Sequence, residues 1–532
     1  MRIAAEDIEV PVRTLQTRHK TTPNMKQLAS TLLLLICLLS LNAQTFEERI
    51  FEIQSDKDLL GGCALVFCQD SVIARVPFGT ANLTSNTSFN ADTPVRIASI
   101  SKLVTALAVI HLSENTDSFS IDADISNYLG FTVSNPSFPN TSITARMLLS
   151  HQSSIIDGSQ YSAFLSATYS NPSIPSISEL ITPGGAYYSS DIFNSIQPGT
   201  YFNYSNLNYG ILGTIIEGVS GERFDDYCKN HLFEPMGLNA SYDVSDLENI
   251  NDLAAIYRKF NGVWEAQVDD FSGVSPGPGN SLGYQIGTNG LRFAPQGGLR
   301  ISANDLAKIM QLFLNNGMSN GNQIISANGI ASMMNNEWLF DGSNGNNYFG
   351  LFQSWGLGVH RSNTATSDLV FSNTDLLFGH PGEAYGLVSD AYISPELNGG
   401  FVFFTNGCGA GYTVPANSAY YTVELDVFEA IEDHVDFTLC GTTGIDAIIQ
   451  KENIQGYPNP AASFIEIPLI HPGNNVLVLK VIDDLGKLVF ESPIQNTEVL
   501  RLDISTFAPG HYLFQIHNVE NGQLSTGKFV KK

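Results

Sequence analysis

Apolar positions along the chain change period several times, and each change predicts an element. Residues 61–82 read as a hairpin, with Ala64-Leu65-Val66-Phe67 as one strand, Gln69-Asp70-Ser71 as polar turn material and residues 72–78 as the return. Thr93-Pro94 then breaks the chain before a mostly apolar run, residues 103–112, which predicts a buried helix. A short helical pattern covers residues 120–128. A further helix is expected over residues 143–149, ending near Ser150-His151-Gln152-Ser153-Ser154. Residues 155–198, rich in Ser, Pro, Gly and Asn, predict a long surface excursion with little regular structure.

Helical periodicity resumes over residues 204–218 through Leu207, Ile211, Leu212 and Ile215. Residues 224–232 predict another helix, closed by Pro235-Met236-Gly237, and residues 272–283 a Gly/Pro/Ser loop. Ser302 is the expected N-cap of a helix over residues 305–315. From Tyr348 onward the period drops to two. Residues 387–393 and 400–406 are expected as adjacent antiparallel strands, and residues 423–435 as a last helix. Strands, then helices, then strands and a helix suit an α+β fold: an antiparallel sheet from both ends of the domain, flanked by helices, with an all-helical lobe between. The pattern shifts near Cys440. Residues 439–455 read as a linker. Residues 456–532 read as a separate small all-β sandwich, with short strands over 476–482, 487–490, 500–504 and 512–517 and a turn at Asp484-Leu485-Gly486-Lys487.

Composition narrows the setting. An apolar share of 43% over 532 residues supports folded cores and excludes global disorder. The net charge of −26 repels nucleic acid and anionic lipid, so neither is an expected partner. Met25-Lys26 and the apolar residues 28–41 look like the start of a secretory signal, too short for a stable membrane span. Met25 is read as the true start, residues 1–43 as the signal region, and residues 44–438 as the main domain. Removal of the signal takes Cys37 and leaves Cys63, Cys68, Cys228, Cys408 and Cys440, an odd number. Cys63 and Cys68 point to opposite faces of one strand and are not expected to bridge each other. No CxxC pair or HExxH is present, and neither a metal nor another cofactor is expected.

Three short motifs carry candidate chemistry. Ser99-x-x-Lys102 places a serine and a lysine nearly one helical turn apart, on a shared face at the start of the buried helix. A buried lysine can lose its charge and accept the serine proton. Tyr204-Ser205-Asn206 precedes an apolar helix; a tyrosine can shuttle a proton to a leaving group, and an asparagine amide can orient a carbonyl. His380-Pro381-Gly382 precedes a strand, and the glycine permits close backbone approach. Each motif has a second copy: Ser525-x-x-Lys528, Tyr169-Ser170-Asn171 and His471-Pro472-Gly473. The copies scatter over two domains and lack the helix at the serine, so the first set is preferred.

In that order the motifs resemble those of the class C β-lactamase and penicillin-binding-protein-related serine hydrolases, over about residues 45–435. The flanks extend the resemblance: Leu148-Leu149-Ser150-His151-Gln152-Ser153, the approach Pro198-Gly199-Thr200 to Tyr204, and Gly297-Gly298-Leu299 with Ser302 and Asp305-Leu306. The resemblance implies a site in the cleft between sheet and helical lobe. It makes Ser99 the acylated nucleophile, Lys102 its base, Tyr204 the proton shuttle and Asn206 a substrate-positioning side chain. His380 and Gly382 form the third motif, and the backbone N–H of Glu383 pairs with that of Ser99 as oxyanion hole. Two positions depart from the family. His380 stands where lysine is usual, and Glu383 where small residues are preferred. Both weaken attraction for a substrate carboxylate. An esterase or D-amino-acid amidase or peptidase is therefore expected rather than a true β-lactamase, acting on a small-molecule or peptide ester or amide with a cationic or neutral leaving side. The alternative is a weak or inactive binding protein of the same fold for peptidoglycan-type fragments. Tyr457-Pro458-Asn459-Pro460, Ala508-Pro509-Gly510-His511-Tyr512 and the terminal Lys528-Phe529-Val530-Lys531-Lys532 resemble a type IX secretion C-terminal sorting domain. That resemblance implies export through the periplasm to the cell surface or medium, with the secretion machinery as partner of residues 456–532.

Overall fold

A computed structural model describes residues 44–440, leaving out 171–172, 272–273, 275–282, 373 and 375. Beyond Cys440 it describes 452–453, 457, 459–468, 477–483, 488–494, 499–518 and 524–532. The signal region, most of the 272–283 loop, most of the linker, the 484–487 turn and the second His-Pro-Gly copy lie outside the described residues.

The main sheet has nine strands with antiparallel neighbours throughout. In chain order these are β1 (Gly61–Cys68), β2 (Val72–Asn82), β3 (Thr87–Ser88), β4 (Trp338–Leu339), β5 (Ser354–Trp355), β6 (His360–Ser362), β7 (Leu377–Ala384), β8 (Leu387–Ser394) and β9 (Gly399–Thr405). Across the sheet they run β4-β5-β6-β7-β8-β9-β1-β2-β3, so both ends of the domain meet at the β9–β1 pair. Every residue of β1, β8 and β9 is buried, so helices cover both faces. Alternation sorts the side chains. Cys63, Leu65, Phe67, Val402 and Phe404 join the core under the helical lobe. Ala64, Val66, Phe401 and Phe403 join a second core beneath α1 (Phe46–Asp56) and the last helix, Thr422–His434.

The lobe contains α2 (Ser101–Asn115), in which eleven of fifteen residues are buried, and α3 (Tyr161–Ser170). It continues with α4 (Asn206–Ser220), buried from Leu207 to Glu217. α5 (Ala303–Leu314) follows, capped as expected by Ser302 accepting from Asp305 N–H at 3.2 Å, and packs on β1, β8 and β9. The Thr422–His434 helix, here α6, closes the domain. Two expectations need correction. Residues 155–198 contain α3 and a further turn, Ser178–Ile181. Tyr161, Phe164 and Thr168 recur at helical spacing and are buried, a pattern that the surrounding Ser and Asn content hid. The helix beginning at Phe224 widens to π geometry over Lys229–Phe233 before ending at Gly237, whose φ is 64°.

Cys68 bonds Cys440 across 372 residues, while Cys63, Cys228 and Cys408 are free and buried. The bond ties the first sheet strand to the end of the domain and shortens the unfolded chain's reach. A Cys440→Ser variant is expected to lose about 2–4 kcal/mol of stability, measured as the urea midpoint against the oxidised parent.

Residues 452–531 add one sheet of five strands and one of two. They enclose a separate core that includes Ile465, Ile467, Leu479, Val481, Phe514 and Phe529. The second Ser-x-x-Lys copy lies on the strand Leu524–Lys531, with no helix to present it. Among the described residues no helix is long and apolar enough to cross a membrane.

Candidate active site

Ser99 occupies a single 3-10 turn, Ala98–Ile100, that runs directly into α2. Ala98 has φ 48°, a left-handed conformation that costs a non-glycine residue about 1–3 kcal/mol. Contacts on the preceding residues hold it: Ile97 N–H donates to Leu299 O at 3.0 Å, and Arg96 Nε to Gly297 O at 2.9 Å. Ser101 Oγ accepts from Leu299 N–H at 3.1 Å. The Gly297-Gly298-Leu299 stretch is therefore the backing of the Ser99 turn.

Lys102 Nζ lies 3.0 Å from Ser99 Oγ and 2.6 Å from Gln296 O, and the side chain is fully buried. Burial lowers its pKa from 10.5 to about 7, because the ammonium loses water; the charge of Asp157 pulls the other way. The Tyr204 ring stands beside the pair, its centroid 5.0 Å from Lys102 Nζ, and with Ser99 it lines the same cavity. Burial pushes the Tyr204 phenol up, so it stays protonated at neutral pH. His151 sets its position: Asn203 N–H donates to His151 O at 2.8 Å, and Ser205 N–H to His151 Nδ1 at 3.1 Å. Those two bonds bracket Tyr204.

Asn206 is placed differently from its expected role. Its Nδ2 donates to Asp157 Oδ2 at 2.8 Å, and it does not line the cleft. Asp157 also accepts from Ser205 Oγ and from the N–H groups of Asn206 and Leu207, capping α4. Sequence reading missed Asp157 because it lies in the stretch taken as excursion; an Asp-Gly pair ahead of the Tyr204 helix was its only signal.

β7 carries the third motif past the Ser99 turn. His380 is fully buried. Its Nδ1 lies 2.5 Å from Pro381 O, so Nδ1 carries the proton, and Nε2 has no partner. Burial, then the Lys102 charge, hold the imidazole well below its ordinary pKa, so it is neutral. At Gly382 a Cβ would stand 2.4 Å from Ser389 Oγ and 2.8 Å from Ile97 O. A Gly382→Ala change must therefore push β7 away from the Ser99 turn, and is expected to lower kcat/KM about 100-fold. Steady-state kinetics checks this, alongside a melting curve to separate misplacement from unfolding. The Glu383 side chain is exposed and accepts from the Tyr421 hydroxyl at 2.6 Å.

These groups share a cavity of about 340 Å³ lined by Ser99, Tyr204, His380, Gly382 and Glu383. The remaining wall is Tyr348, Phe349, Phe352, Tyr421 and Glu424, with apolar contacts from the 414–419 segment. None of this wall was legible as site, since it comes from irregular segments and a helix start. Elsewhere, Asp225, Asp226 and Asp246 bring carboxylate oxygens within 4.8 Å of one another. Arg223 pairs with Asp225 and Asp226, and Lys229 with Asp246, so cationic side chains already serve that cluster.

Comparison with known proteins accords with this arrangement. Residues 455–532 match the model of a secretion system C-terminal sorting domain, which marks a secreted or cell-surface protein. The chain is 26% identical over 198 residues to penicillin-binding protein 4* of Bacillus subtilis (strain 168), covering 37% of this chain and 41% of that protein. It is 27% identical over 203 residues to a D-aminopeptidase of Cereibacter sphaeroides, covering 38% and 37%. The chain thus spans about two fifths of the length of the curated relatives it matches. The octameric penicillin-binding protein homologue from Pyrococcus abyssi shares the fold at a TM-score of 0.55 and 20% identity, covering 92% of this chain and 96% of that one. Residues 46–419 match the Beta-lactamase family model, and the chain belongs to that family of serine hydrolases.

Proposed function

We propose that this is an exported serine hydrolase that forms an acyl-enzyme on Ser99 and cleaves a small-molecule or peptide ester or amide. An esterase or D-amino-acid amidase or peptidase activity fits better than true β-lactamase activity. The observation that carries the reading is the contact of 3.0 Å between Ser99 Oγ and a lysine amine so buried that its free-base form is accessible near neutral pH.

In the proposed reaction, Lys102 Nζ takes the Ser99 proton as Oγ attacks the carbonyl carbon. The N–H groups of Ser99 and Glu383 receive the oxyanion. The Tyr204 phenol, kept protonated by burial, donates to the departing oxygen or nitrogen and regains a proton from the Lys102 ammonium. Water then releases the acyl group by the reverse proton path. His380 is neutral, and Lys102, already engaged with Ser99 Oγ and Gln296 O, is buried behind the serine, so no lysine or arginine among the lining residues is free to hold a substrate carboxylate. This supports esters and amino-acid amides over penicillins. The similarity to a D-aminopeptidase points the same way. In the same reading, residues 456–532 address the chain to the secretion machinery.

A turnover panel of short p-nitrophenyl esters, D-alanine amides and a chromogenic cephalosporin tests the proposal. Turnover of an ester or D-amide is expected to exceed that of the cephalosporin. Absence of all turnover, or a preference for the cephalosporin, would overturn it.

A further inference from the structure

The cleft beyond Ser99 has an unusual lining for its size. Besides Tyr204, four aromatic rings line it, from Tyr348, Phe349, Phe352 and Tyr421, and two acidic side chains, Glu383 and Glu424, with no lysine or arginine among the lining residues. Phe349 is 96% exposed and Tyr348 48%, both with positive φ, so the chain turns these two rings toward water. Glu383 is steered by the Tyr421 hydroxyl at 2.6 Å. Glu424 is buried close to buried Asp390, and its Oε2 accepts from Tyr421 N–H at 2.5 Å. Burial raises the carboxyls of Glu424 and Asp390. Independently, His380 Nε2 is a buried lone pair in the same cavity with no donor to satisfy it. A buried acceptor without a partner calls for a donor on whatever enters.

The end of the cleft can be assigned. Tyr204, which in the proposed reaction protonates the leaving group, stacks on Phe352 at 5.1 Å between centroids and meets Tyr348 at 5.8 Å. The aromatic walls therefore flank the leaving group rather than the acyl group.

We infer that the leaving-group end of the cleft is a site for an organic cation, an alkylammonium carried by the substrate, held between Glu383 and the rings of Tyr348 and Tyr421. Aromatic faces attract such a cation and tolerate its methyl or methylene groups, while the carboxylate supplies the charge. His380 Nε2 accepts from an N–H or O–H nearer the scissile bond. This assignment rests on the hydrolase reading for its orientation, and not for the cation site itself.

The test uses the full chain and a pair of equal shape: choline, and its neutral carbon isostere 3,3-dimethylbutanol. Calorimetric titration is expected to give choline a Kd about tenfold or more below that of the isostere. Glu383→Gln, a change at an exposed side chain, is expected to shrink that ratio at least several-fold. Tyr421→Phe, which removes the hydroxyl that steers the carboxylate, should shrink it less. Equal affinities in the parent, or a ratio unmoved in Glu383→Gln, would overturn the inference. A parallel assay with p-nitrophenyl acetate separates the two readings. Choline selectivity without any turnover sinks the hydrolase and keeps the cation site, whereas turnover without selectivity does the opposite.

Discussion

Replacement of Ser99 by alanine is expected to lower turnover of every ester or amide substrate by roughly a million-fold, the scale of losing a serine nucleophile. It should also abolish labelling by a fluorophosphonate probe. The size of the effect follows from the site. Ser99 Oγ contacts Lys102 Nζ at 3.0 Å and is the oxygen from which the proposed proton path starts, so its loss removes the nucleophile and the path together. Stability should change little. Ser99 is only half-buried, and alanine fits the 3-10 turn whose strained residue is Ala98. Ser525→Ala is the matched control, because that serine belongs to a Ser-x-x-Lys copy on a strand. Full labelling is expected there. Labelling that survives in Ser99→Ala, or that falls in Ser525→Ala, would remove the assignment.

What the sequence made legible was whatever is repeated or locally constrained. The two cores are built by alternation in β1, β8 and β9 and by helical periodicity in α2, α4 and α5, so their positions showed as pattern. The Ser99–Lys102 pair was legible because three residues on a helix suffice to define it. Its weight came from the helix, which the Ser525 copy lacks. Asp157 was not legible: a helix-capping carboxylate that ties down Asn206 has no signature once its own stretch looks like loop. The aromatic wall was not legible because Tyr348, Phe349 and Tyr421 are brought to Ser99 by the sheet's closure, not by spacing. The Cys68–Cys440 bond was beyond reach for the same reason, being a contact 372 residues apart.

The second large effect concerns the state of Lys102. With its pKa brought to about 7 by burial, the free amine that can accept the Ser99 proton is the minor form in acid and the major form in base. The profile of kcat/KM should therefore rise with pH, reach half its plateau near pH 7 and stay level above. Asp157 favours the ammonium, so Asp157→Asn is expected to move the acid limb to lower pH. Lys102→Met should cost roughly 10³–10⁴-fold in kcat/KM and remove the limb. Stability supplies a check that does not depend on turnover. The folded pKa is depressed below the unfolded value of 10.5, so between about 7 and 10.5 the unfolded chain binds one more proton than the folded one. Stability from this group must then rise with pH across that window, by about 1.4 kcal/mol per pH unit in its middle, and carry its full penalty, on the order of 5 kcal/mol, below pH 7. Urea denaturation at about pH 6 and about pH 9 should show that rise in the parent and not in Lys102→Met. Equal pH dependence in the two proteins, together with a flat kcat/KM profile, would mean that Lys102 keeps its charge in the fold. It would then be a hydrogen-bond donor to Ser99 and Gln296, and the base would have to be sought elsewhere.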